Sequence, residues 1–214
     1  MTNIKRISLC ICAATFALAL FTNVAFSQKS RGVDNTQSGI LIPAKPFLVD
    51  NLEYPTGQLS ATSTGAWTSF SGTGNFVPVS AGSLSYSGYP SSAVGNKIDL
   101  VSPTSSAEDL YRQFKIQGVG TTTYAAFMVN VTNVTGLAAN ASTTGDYFAG
   151  FLPSDSTTLL SSRVSIRLGV TAGTFQLGLR ATSANANADF VSTDLATGTT
   201  HLVVISYQTV AGNA

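Results

Sequence analysis

Between Arg163 and Ala181 apolar and polar residues alternate strictly on both sides of Ala172-Gly173, and this limits the fold more than any other feature. A period of two belongs to a strand with one dry face. With Ala172-Gly173 as a two-residue turn, glycine supplies the positive φ that a tight hairpin requires. Thr171 then faces Thr174, and Val170, Leu168 and Ile166 lie opposite Phe175, Leu177 and Leu179. All six apolar side chains share one face, and Ser165, Arg167, Gln176 and Arg180 share the other. A slip of one residue would turn one strand's apolar set to solvent, so the register is strongly specified. A sheet with one dry face needs a second sheet to cover it, and two sheets packed dry face to dry face make a sandwich.

The rest of the chain supports an all-β fold. Short apolar segments alternate with clusters of Gly, Ser, Thr and Asn, which predicts strands over 47–52, 66–70, 83–86, 97–101, 110–117, 123–131, 147–152, 163–171, 174–181, 190–193 and 201–209. The segments 123–131 and 202–205 are apolar on both faces and read as interior strands. The only helical signal is a possible turn at 106–110.

The N-terminus reads differently. Lys5 and Arg6 precede an apolar run from Ile7 to Phe21, and Ala25-Phe26-Ser27 supplies small residues for a peptidase. Residues 1–27 are therefore expected to be a signal peptide cut before Gln28, and the protein is expected to be secreted or at the cell surface. Residues 28–46 read as a linker or lead-in segment and 47–214 as the β-sandwich domain. Cleavage would remove both cysteines, Cys10 and Cys12, so neither a disulfide nor a thiolate site is expected in the product. It would also remove two of the 11 basic residues and none of the 10 acidic ones. The remaining balance is close to neutral, which argues against a nucleic-acid partner. No later stretch approaches membrane-spanning length.

The segments Asp50-Asn51-Leu52-Glu53-Tyr54-Pro55, Ala81-Gly82-Ser83-Leu84-Ser85-Tyr86 and Gly145-Asp146-Tyr147-Phe148 resemble a module of secreted Bacteroidota-type proteins. Glu108-Asp109-Leu110-Tyr111-Arg112-Gln113-Phe114, Arg163-Val164 and His201-Leu202-Val203-Val204 follow the same pattern in order. Such modules are similar to concanavalin A-like or laminin-G-like jelly rolls and often belong to proteins exported by the type IX route. The resemblance runs from about Phe47 to the end and implies an antiparallel two-sheet jelly roll. The chain departs from the pattern at His201, where an aromatic such as Tyr is expected. It also ends at Ala214, where the pattern turns at Ala211-Gly212-Asn213 and adds at least one strand, so the domain is expected to lack its C-terminal strand or strands.

The sequence spells out no reaction. His201 is the only histidine, so a Ser-His-Asp triad would have to use it, and it opens an apolar strand. Glycoside hydrolysis needs two carboxylates converging on one face. Glu108 and Asp109 are adjacent and Asp50 and Glu53 are three apart, so in strands each pair would split across the sheet. Asp50 and Glu53, with Asp194, are candidate ligands for a structural calcium ion, which takes six to eight oxygens. Trp67, together with Tyr54, Tyr86 and Tyr89, is a candidate platform for stacking on a sugar. In the expected register Arg167 and Arg180 are diagonal neighbours, close enough to call for an acid or an anionic ligand. The expectation is a non-catalytic surface module for adhesion or glycan binding, its partner an extracellular polysaccharide or surface glycan. The alternatives are an accessory domain of a longer exported hydrolase and a purely structural spacer.

Overall fold

A computed structural model of the chain describes residues 7–12, 19–29, 46–72, 74–101, 107–115, 117–153, 161–181 and 186–210. Its strands are β1 (Ile7–Cys12), β2 (Ala19–Lys29), β3 (Leu48–Asp50), β4 (Gly57–Gln58), β5 (Thr68–Ser71), β6 (Pro78–Ser80), β7 (Lys97–Leu100) and β8 (Asp109–Phe114). They continue as β9 (Thr122–Val131), β10 (Asp146–Pro153), β11 (Ser161–Leu168), β12 (Thr174–Arg180), β13 (Asp189–Phe190), β14 (Leu195–Ala196) and β15 (Thr200–Gln208). A single helical turn, α1 (Leu59–Thr62), follows β4. The fold is the expected all-β sandwich. One sheet runs β13-β12-β11-β10-β1-β8-β5, with β14 on β12, and the other runs β15-β9-β2-β7-β6-β4, with β3 on β2. Every named pairing is antiparallel. Among the described residues no helix is long and apolar enough to cross a membrane.

The core lies between the sheets. Leu110 and Phe114 of β8, Phe151 of β10, Val164 and Ile166 of β11 and Phe175 of β12 meet Ala125, Phe127, Val129 and Val131 of β9 and Ile98 and Leu100 of β7. The period of two in β9 places its core residues, and Met128, on the other face, is also buried. This is the two-sided burial expected of an interior strand. Removing a fully buried ring such as Phe127 typically costs about 3–5 kcal/mol.

The structure bears on four of these expectations. The residues read as a leader and its cleavage point provide β1 and β2 of the 214-residue chain, each paired on both sides. β1 lies between β8 and β10, and β2 lies between β9 and the strands β7 and β3. The segment 201–209, read as an interior strand of a domain that lacks its C-terminal strand, stands at a sheet edge in this chain, since β15 pairs only with β9 among the described residues. Residues 83–86 form no strand, because Ser83, Tyr86 and Ala93 bond within a compact loop instead of a ladder. Most of the proposed lead-in, 30–45, and the turn at 211–213 lie outside the described residues.

The fourth is the hairpin register. Leu168 faces Phe175, Ile166 faces Leu177 and Val164 faces Leu179, two residues away from the expected pairing. Residues 170–173 form a wider loop because Asp194 accepts the Val170 and Thr171 N–H groups at 3.0 and 2.7 Å. Those donors are therefore withheld from the ladder. A shift of two keeps every side chain on its face, so the amphipathic reading survives the register error. The polar face, however, is covered. Gln176 is 3 % exposed, and the Arg167 guanidinium lies 3.9 Å from the centre of the Phe190 ring. Glycine makes room for that ring, since a Cβ at Gly145 or Gly178 would come within 2.6 or 2.7 Å of it.

Candidate functional site

Asp50 ends β3 in one sheet, and Arg112 sits in the middle of β8 in the other. Their ion pair joins the two layers. In β8, Leu110, Arg112 and Phe114 share the inward parity, so the strand period carries a guanidinium into the interior alongside apolar neighbours. The acid that receives it is 4 % exposed and is satisfied on both oxygens. Oδ1 accepts the Leu52 N–H at 2.9 Å, and Oδ2 accepts the Trp67 indole N–H at 2.7 Å and the Tyr54 hydroxyl at 3.0 Å. Arg112 also donates to the Tyr54 oxygen at 2.8 Å. Burial, then the Asp50 charge, push the Tyr54 phenol up to about 12. Leu52 adopts a left-handed φ of 52° to return its N–H to Asp50. The neighbouring Gly95 admits the loop, because a Cβ there would lie 1.7 Å from the Asn51 carbonyl oxygen.

This arrangement disposes of two sequence-based candidates. Trp67 is 1 % exposed and spends its N–H on Asp50, so it is a core residue and offers no face to a sugar. Tyr54 belongs to the same network, Tyr89 bonds to the Ala126 carbonyl, and Tyr86 stands exposed in its loop. The four aromatics do not form one platform. A calcium ion does not fit either. Asp50 is surrounded by N–H and O–H donors and a cation, the opposite of the oxygen cage that calcium needs. Glu53 points to solvent, and Asp194 caps the distant hairpin loop. Among the described residues no group of three or more His, Cys, Asp and Glu side chains could hold a metal.

Arg167 and Arg180 are not neighbours in the observed register. Arg167 faces Gln176 and Arg180 faces Arg163. The Arg167 charge is bound internally, by two bonds to the Gln176 Oε1 at 3.1 and 2.9 Å and one to the Ser142 carbonyl at 2.7 Å. Glu108 and Asp109 do point apart, as their adjacency requires. Glu108 is buried and accepts from Gln58, Ser60 and the Val77 N–H, while Asp109 bonds to Ser71.

What the sequence reading missed is the surface around β5 and β8. Tyr111 projects from β8 on the outward parity, opposite Thr68, and its ring lies 5.8 Å from that of Phe70. Both pack against the buried Leu152 together with Tyr147, forming a small aromatic cluster outside the main core. Beside it opens a depression of about 290 Å³ lined by Gly65, Ala66, Thr68, Tyr111, Arg112 and Gln113. Thr68, Tyr111 and Gln113 thus meet at an open depression, with Arg112, whose guanidinium is held by Asp50 and Tyr54, in its wall. The alternation Asp109, Tyr111, Gln113 against Leu110, Arg112, Phe114 was the signal that could have located it.

No protein-family model, curated protein or solved structure matches this chain.

Proposed function

We propose that this chain is a secreted or surface-exposed, non-catalytic module that binds glycans through the depression beside Tyr111. The observation that carries the reading is the pairing of an aromatic cluster, Phe70 and Tyr111, with the polar lining of Thr68, Gln113 and Arg112. Sugars present apolar C–H faces to rings and hydroxyls to amide and hydroxyl groups, so such mixed linings suit them. The resemblance to jelly-roll modules of exported bacterial proteins supports the same reading, as does the apolar N-terminal run. The carboxylates Glu108 and Asp109, engaged by separate donors on opposite faces, favour binding over hydrolysis. Affinity electrophoresis against a panel of neutral and acidic polysaccharides tests the proposal. At least one polysaccharide should retard the protein, and Gln113→Ala and Tyr111→Ala should each reduce that retardation severalfold. A melting curve of each variant, recorded beside the parent, separates lost binding from lost folding. No retardation by any polysaccharide, or retardation unchanged in both variants, would end the proposal.

A further inference from the structure

Among the described residues the four sheet edges are unequal. The eight-stranded sheet ends in β13, two residues long, and β5, four residues long with a register shift in its pairing. The seven-stranded sheet ends at one side in β4, again two residues. Its other edge is β15, nine residues in unbroken register with β9. Short or bulged strands protect an edge from further pairing, and so do charged residues and proline. β15 carries no Lys, Arg, Asp, Glu or Pro.

The direction of its free backbone groups can be read from one bond pair. Thr209 donates to the Thr121 carbonyl at 3.0 Å, and its own carbonyl accepts the Gly120 N–H at 2.7 Å, so both its groups point toward β9. Alternation then turns the odd residues of β15 inward and directs the N–H and C=O of Thr200, Leu202, Val204, Ser206 and Gln208 outward. Among the described residues these outward groups have no strand partner.

We infer that this edge pairs with the same edge of a second copy, antiparallel, about a two-fold axis at Val204. An isologous contact requires the strand to be complementary to itself, and here parity supplies that. Thr200 faces Gln208 of the second copy, Leu202 faces Ser206, and Val204 faces its own equivalent. Every facing pair joins two outward-directed residues, so each can exchange two hydrogen bonds. Val204 is 59 % exposed and lies two residues along the strand from Leu202, which packs against the cluster of Leu84 and Met128. The contact therefore covers apolar surface, and neither strand brings a charge to oppose its copy.

Sedimentation over a concentration series, with cysteine cross-linking, tests the inference in the full chain carrying Cys10→Ser and Cys12→Ser. The protein should pass from monomer to dimer. Val204→Cys should cross-link readily, because residues facing each other on the axis have Cα atoms about 5.5 Å apart. Ser206→Cys should not, since it stands four residues from its own equivalent, about 13 Å. Val204→Lys should weaken the dimer at least tenfold, with the melting temperature unchanged at concentrations where the parent is monomeric. A monomer at every concentration, equal cross-linking by both cysteine variants, or an undiminished Val204→Lys dimer would overturn the inference. So would a chain extended past Ala214 that is monomeric with the Val204 amide protected from exchange, because a returning strand of the same chain would then hold the edge.

Discussion

Single residues decide how the two layers are tied. Asp50 gathers four donors from three parts of the chain, and only Arg112 among them carries a charge. Asp50→Asn leaves that guanidinium partly buried without its counter-charge, which should cost about 3 kcal/mol in urea unfolding. Arg112→Met should cost a comparable amount, and the double variant should lose less than the sum, because the two share one interaction. Trp67 is the only tryptophan and bonds to Asp50, so its emission should follow both variants. Additive losses would show that the pair is not coupled. The acids were visible in the sequence, but their company was not. Asp50 and Glu53 look like one cluster in a linear reading, yet the left-handed turn at Leu52 sends one into the core and leaves the other in water.

At the scale of an element, the hairpin β11–β12 shows what periodicity does and does not contain. Alternation identified both strands and assigned Ile166, Phe175 and Leu177 to the dry face, and the structure agrees. The register depended on the loop, and the loop depends on Asp194, more than twenty residues away. No local pattern announces that contact. Hydrogen bonds from Thr171 and then Val170 hold the Asp194 carboxyl down at about 2. A depressed folded value means that its stabilising effect is complete above the ordinary carboxylate range and disappears as pH falls through about 2. The Val170 and Thr171 amide resonances should therefore titrate together with a midpoint near 2, and Asp194→Asn should remove that transition. A midpoint near the ordinary carboxylate value would show the loop unsupported. The covering of the polar face gives a second test. Gly178→Ala sets a methyl group against the Phe190 ring, which must leave its place over Arg167, at a cost of about 1–3 kcal/mol by denaturant titration. A neutral substitution would mean that Phe190 is not fixed there.

Over the whole molecule, the apolar N-terminal run has two roles in view. Its composition reads as that of an export leader, and in the 214-residue chain residues 7–12 and 19–29 form β1 and β2. Composition cannot separate these roles, because a leader and a two-sided interior strand both demand uncharged apolar residues. A cut before Gln28 would remove β1 entirely and all of β2 except its last two residues, opening the middle of both sheets. A chain beginning at Gln28 should accordingly unfold at a lower urea concentration than the full chain, and the β8 and β10 amides that face β1 should exchange faster. Equal stability and equal protection would mean that other residues take those places. The connectivity also sets a timetable. β1 finds its neighbours only at Asp109–Phe114 and Asp146–Pro153, and pairings so distant in sequence are slow to form. At a ribosomal rate of about 5–20 residues per second, the first of those partners follows residues 7–12 after roughly 5–20 s. Throughout that interval residues 7–12 lack both of the strands they join in the fold, and anything that binds extended apolar chain competes with β8 and β10 for them.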